Sequence, residues 1–214
     1  LVGQTRGRAV PFASHDSVLA KGTGWVPADL AITCFGPIAE DNVFGSVGDV
    51  RLLPDPSTGI DVPADGTRPA VRFYLADQVL PDGSPWPCCP RTFLRQAIAD
   101  LRERTGLTVV ASFEHEFILP DVPASPPFSF ARARDVEPFG SDLVRLLEAT
   151  GLEPETWLPE YGDGQFEVTL RPAPALVAAD RAVLVRELVR DLARARGHRV
   201  TFAPILDPSG VGNG

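Results

Sequence analysis

Residues 112–119 read SFEHEFIL and set Glu114 and Glu116 two apart inside an apolar run. Side chains alternate along a strand, so Ser112, Glu114 and Glu116 share one face while Phe113, His115 and Phe117 share the other. Two like charges at that spacing are unfavourable unless something cationic lies between them. The same spacing suits the solvated face of an antiparallel sheet, so the pair alone does not choose between water and a ligand. His115, turned with the phenylalanines, reads as a hydrogen-bonded core histidine rather than a ligand.

A second stretch adds two more acids. Residues 155–172, ETWLPEYGDGQFEVTLRP, read as two strand segments around a glycine-bearing turn. In the second segment Gln165, Glu167, Thr169 and Arg171 share a face opposite Phe166, Val168 and Leu170, and Glu160 falls just before the turn. Taken alone, Glu160 reads equally well as a surface loop residue. Four glutamates on adjacent strands can line one cavity and hold Mg2+ or Mn2+, which choose carboxylate oxygens over Cys or His. Such a cation would neutralise the like charges and can clamp phosphate oxygens in a transfer reaction.

The chain has 214 residues, enough for one large domain or two small ones with real cores. Its 44% apolar and 22% charged make-up is that of a globular protein, and a net charge of -8 with one lysine, Lys21, argues against a nucleic-acid partner. The three cysteines, Cys34, Cys88 and Cys89, form neither a disulfide framework nor a zinc-ligand spacing. The vicinal pair reads as structural, and a reducing, cytoplasmic setting is expected. No apolar run approaches the roughly 18 residues of a membrane span. The absence of methionine and the loop-like end DPSGVGNG lead us to expect a piece of a longer protein.

Along the first ninety or so residues, RGRAVPF, DLAITCF, GDVRLLPD and RPAVRFYLAD read as short strands punctuated by proline and glycine. A helix is predicted over 90–106, with Phe93, Leu94, Ala97, Ile98 and Leu101 at helical spacing, Pro90 near its start and Gly106 at its end. A strand over 107–119 and a proline-rich loop follow. Next comes a short helix with Ser141 as candidate N-cap and Gly151 as stop. A long amphipathic helix over 174–196 buries Leu184, Val185, Leu188, Val189 and Leu192, and RVTFAPI returns as a strand. The order predicts an α+β protein, with a small β-rich domain over 1–88 and an α+β segment over 89–214.

The succession FEHEF, PEYGDGQFEV, AADRAVLVRELVRDLARARG and GVGNG resembles the glutamine synthetase family. RGRAVP and GDVRLLPDPST resemble that family's small β-grasp domain, so the resemblance covers the whole chain and implies that 89–214 begins the catalytic domain. It implies an ATP-dependent ligase that phosphorylates the γ-carboxylate of glutamate and lets ammonia or a small amine displace the phosphate, at a site with two or more Mg2+ or Mn2+ ions. By motif, Glu114, Glu116, Glu160 and Glu167 match the metal-binding glutamates. Glu116 also lies near the glutamate substrate, and Glu160 receives the attacking ammonium. Glu155 matches a nucleotide contact, and Gly212 falls in the loop that binds glutamate. Joining a carboxylate to an amine requires a good leaving group, which metal charge and positioning supply.

The chain departs from the family pattern at Asp163, where proline is usual, and at Leu158, where histidine is common. It lacks the D-G-S latch whose aspartate helps to deprotonate ammonium, and Asp49 is the nearest acid. Larger amines, including polyamines, are therefore the alternative to ammonia. The family's H-x-H and phosphate-binding arginines would follow G-N-G, so this chain alone is expected to be inactive. The resemblance also implies a homo-oligomeric ring with active sites shared between neighbours. The rival readings are a non-catalytic paralogue and a different metal-dependent phosphotransferase.

Overall fold

The computed structural model describes residues 3–214. In chain order the strands are β1 (Thr23–Trp25), β2 (Val50–Pro54), β3 (Ile60–Val62), β4 (Val71–Phe73), β5 (Ala76–Val79), β6 (Val110–Ala111), β7 (Glu114–Ile118), β8 (Pro154–Pro159), β9 (Gln165–Leu170) and β10 (Ala173–Pro174). The helices are α1 (His15–Lys21), α2 (Pro90–Thr105), α3 (Phe130–Asp135), α4 (Phe139–Ala149) and α5 (Ala175–Ala195). The chain forms two compact units, Leu1–Gly59 with Arg72–Thr108, and Ile60–Val71 with Val109–Gly214. Among the described residues no helix is long and apolar enough to cross a membrane.

The first unit is organised by an antiparallel sheet in the order β1-β2-β5. Val50, Val79 and Cys89 are buried in it. Cys89 is structural, as expected: its Sγ accepts a hydrogen bond from the Gln78 amide at 3.2 Å, while Cys88 is exposed. α2 forms where its spacing predicts and ends in left-handed Gly106, yet none of its residues is buried and Phe93 is exposed. Charge fastens it instead. Arg91 reaches Asp77 at 2.6 Å and Asp55 at 2.9 Å, and Arg95 reaches Asp77 at 3.0 Å.

Strands were over-predicted in this unit. RGRAVPF forms no ladder: Pro11 has no N–H to give one, and Phe12 already opens a 3-10 turn, Phe12–Ser14. DLAITCF begins inside a 3-10 turn, Pro27–Ala31, because Pro27 presets a helical φ at its first position.

The second unit is built on an antiparallel sheet in the order β7-β9-β8. Its register pairs His115 with Val168, Phe117 with Phe166 and Trp157 with Val168, so the apolar residues fall on one face as alternation requires. Trp157 stacks on Phe166 with ring centroids 5.1 Å apart, and Phe117 meets Phe139 of α4 edge-on at 6.3 Å. α5 contributes the predicted stripe, with Leu184, Val185, Leu188, Val189 and Leu192 all buried. Arg68 ties the 60–71 segment to this unit through Asp191 of α5 at 2.5 Å.

Three expectations change here. The predicted strand over 107–119 is broken at Ser112, whose hydroxyl donates to the Leu170 carbonyl, and β6 pairs with β10 while β7 pairs with β9. RVTFAPI forms no ladder but two isolated bridges, Thr201 to Ile118 and Ile205 to Gly212, because Pro204 between them has no N–H to extend one. Ser141 is no N-cap: α4 starts at Phe139, and the Glu137 side chain accepts from both the Ser141 hydroxyl, at 2.7 Å, and its amide, at 3.2 Å.

Gly140 lets α4 lie close against Trp157 of the sheet. A Cβ there would lie 2.6 Å from Trp157 Nε1 and 3.0 Å from Cε2. Gly140→Ala is expected to destabilise by about 1–2 kcal/mol, the overpacking cost exceeding the gain of about 1 kcal/mol in helix propensity. Urea denaturation checks this, and a variant as stable as wild type would show that the indole moves freely.

Candidate active site

The polar face of the sheet carries the acids. Glu116 on β7 stands directly opposite Glu167 on β9, and Glu114 opposite Thr169. β8 pairs on the other edge of β9 and ends at Pro159, which delivers Glu160 to the same place. One carboxylate oxygen from each of Glu116, Glu160 and Glu167 lies within 4.8 Å of the others. The structure thus brings three of the four candidate metal-binding glutamates together. Glu114 lies one register step along the same face and is exposed.

Glu167 is 8% exposed. Its carboxyl is pushed up from an ordinary 4.5 to about 7, first by burial and then by the charges of Glu114, Glu160 and Glu116. Among the described residues no arginine, lysine or histidine forms an ion pair with any of these four glutamates. Three converging hard oxygens, one of them reluctant to ionise, fit a divalent cation and suit Mg2+ or Mn2+.

The turn that carries Glu160 is held from two sides. Gly164, with φ of +64°, lies so close to β7 that a Cβ would meet the Leu119 carbonyl oxygen at 2.5 Å, and only glycine fits both constraints. From the other side comes Arg132 of α3, 1% exposed, whose Nη1 donates to the carbonyls of Glu160 at 2.6 Å and Gly162 at 2.7 Å. Its Nε reaches Ser125 Oγ at 3.2 Å, its Nη2 the Ser125 carbonyl, and Asp163 lies 3.6 Å away. Within the turn, Glu160 Oε2 accepts from the Tyr161 amide at 3.0 Å.

The remaining candidates are more dispersed. Glu155 is exposed on β8 at the register irregularity between Pro154 and Thr156, where it has no partner across the ladder. Gly212 bridges Ile205, and a Cβ on it would lie 2.8 Å from the Pro204 carbonyl oxygen. The segment it belongs to returns to the acids: the Gly214 amide donates to Glu116 Oε2 at 2.7 Å. His115 is a core residue, but among the described residues neither ring nitrogen has a hydrogen-bond partner of suitable geometry. Burial, with help from the Arg186 charge, lowers its pKa and keeps it neutral.

Two residues of this site have no assignment from sequence. Arg132 lies beside a proline-rich stretch, and its only local signal is Ser129, whose hydroxyl accepts from the Arg132 amide at 3.1 Å as an N-cap. Gln165 was visible on the polar face beside Glu167, but the segment it touches lies some 47 residues away in sequence.

Known proteins are similar to this chain along its whole length. The glutamine synthetase N-terminal domain matches residues 1–86 and the glutamine synthetase catalytic domain residues 87–214. A gamma-glutamylpolyamine synthetase from Streptomyces coelicolor is 34% identical over 99% of this chain and 47% of its own length. A glutamate–isopropylamine ligase from a Pseudomonas species is 30% identical over 72% of this chain and 36% of its own length. A crystal structure of a novel glutamine synthase homolog superposes with a TM-score of 0.93 at 46% identity, covering 100% of this chain and 51% of that one. The chain spans about half the length of the curated relatives it matches, or less. With both halves of its length matched, and with three of its motif carboxylates converging beside one sheet, the chain belongs to the glutamine synthetase family.

Proposed function

We propose that this chain is the leading part of an ATP-dependent ligase that joins the γ-carboxylate of glutamate to an amine through a γ-glutamyl phosphate. The convergence of Glu116, Glu160 and Glu167 carries this reading. These three, with Glu114 beside them, would hold Mg2+ or Mn2+. When bound, the cation supplies the positive charge that phosphoryl oxygens need during transfer. Glu116 orients the glutamate substrate next to the Gly212 loop, Glu155 contacts the nucleotide, and Glu160 attracts the protonated amine to the acyl carbon. The division of labour proposed is a β-grasp domain over 1–88 and the opening of the catalytic domain over 89–214, in a homo-oligomeric ring.

For the amine, we favour an organic amine over ammonia. The D-G-S latch is missing, and the relatives matched include a polyamine and an isopropylamine ligase. The full-length protein should release ADP only when glutamate, an amine and Mg2+ or Mn2+ are present together. A kcat/KM at least about tenfold higher for a polyamine or alkylamine than for ammonium is the expected order. A preference for ammonium would make it a glutamine synthetase proper. ATP hydrolysis indifferent to glutamate would point to another phosphotransferase.

A further inference from the structure

Gln165 is 1% exposed, and its carboxamide sits where three parts of the site meet. Its Nε2 lies 3.0 Å from Glu116 Oε2, 2.8 Å from the Gly212 carbonyl oxygen and 3.0 Å from Asn213 Oδ1. Its Oε1 accepts from the Gly162 amide at 2.9 Å. The orientation is unambiguous, since a flipped amide would set an oxygen against three acceptors and a donor against an N–H. Asn213 is itself fixed, because its Nδ2 donates to the Ala203 carbonyl at 2.8 Å. The backbone of Gln165 joins the same turn: its amide donates to Gly162 O at 3.1 Å, and its carbonyl accepts from the Glu160 amide at 2.8 Å.

Both hydrogen bonds to the Glu116 carboxylate fall on one oxygen, Oε2, from Gln165 Nε2 and from the Gly214 amide. A carboxylate pinned through one oxygen presents its other oxygen in a fixed direction. We infer that Gln165 is a positioning residue, which locks Glu116 and the 212–214 segment into one register so that cation and acidic substrate meet at a set distance. This rests on Glu116 as a cation-binding carboxylate, the reading proposed above. Gln165 touches neither the cation nor the substrate. Its effect passes through Glu116 on one side and the Gly212 backbone on the other.

The test uses the full-length protein with Gln165→Met, which keeps length but donates nothing, and Gln165→Asn, which draws the amide back by one methylene. Mn2+ affinity is read by calorimetry without nucleotide, alongside KM for glutamate and for ATP. Loss of an outer partner of a metal ligand costs on the order of 10- to 100-fold, so either folded variant should bind Mn2+ at least about tenfold more weakly. KM for glutamate should rise by a similar factor while KM for ATP stays within about twofold, a split that general loosening would not produce. A folded variant with wild-type Mn2+ affinity and glutamate KM overturns the inference and leaves the proposed function standing. If neither variant retains the native circular-dichroism spectrum, Gln165 is a folding residue and the inference is again overturned. If wild type binds Mn2+ no better than Glu167→Gln does, the cation reading falls and takes the inference with it.

Discussion

Glu167→Gln in the full-length protein is expected to lower kcat/KM for the metal-dependent ligation by about 1,000-fold or more, and to do so in a protein that folds at least as well as wild type. The activity loss follows from turning one of three converging carboxylates into a neutral amide, which removes one of the three negative charges that would balance a cation. The stability gain follows from the same crowding. In the metal-free protein the Glu167 carboxyl titrates near 7 rather than 4.5, so the folded state keeps a proton that the unfolded chain releases between those values. That contribution is complete below pH 4.5 and is lost as the pH rises through about 7. Glutamine makes no such demand, so without metal the variant's advantage in Tm should widen between pH 5 and pH 8, and Mn2+ should close it by stabilising wild type alone. A variant with wild-type rate, or a Tm gap indifferent to pH, would remove Glu167 from the role assigned to it.

Alternation along residues 112–118 and 165–170 was enough to put Glu116 and Glu167 on one face, because both strands bury their other side in an aromatic core and a slip of one residue would bury the acids. That is why this part of the site was legible. The helix α5 was legible for the same reason, its apolar positions recurring at a period only a helix satisfies. Residues 6–12 and 29–35 were misread because a strand is a pairing property, and composition does not reveal whether a neighbour exists. Parity put Glu114 on the same face, and its charge leads those of the other glutamates in raising Glu167, though it stands outside the three that converge. Arg132 and Gln165 stayed out of reach because their partners are backbone oxygens and loop atoms brought close only by the tertiary fold. Gln165 lies inside the PEYGDGQFEV motif, but the motif does not name its partners, and Arg132 lies outside every motif quoted.

Arg132 carries the largest stability effect expected in this chain. Among the described residues no buried carboxylate balances its buried guanidinium, and what satisfies it is a ring of oxygens from the Glu160 and Gly162 carbonyls and from Ser125. Arg132→Met keeps much of the volume but leaves those oxygens without a donor, at a cost of about 3–5 kcal/mol, or on the order of 10 °C in Tm. Because the lost donors hold the turn that carries Glu160, Mn2+ affinity should fall in the same variant. The exposed partner offers the contrast that decides the cause. Asp163 is 76% exposed and 3.6 Å from the guanidinium, so as a surface ion pair it should contribute no more than about 1 kcal/mol. Asp163→Asn is therefore expected to be nearly neutral by urea denaturation and to bind Mn2+ as wild type does. Should it cost as much as Arg132→Met, the ion pair rather than the carbonyl cradle holds the turn, and the substitution of aspartate for the family's usual proline would be what made Arg132 necessary.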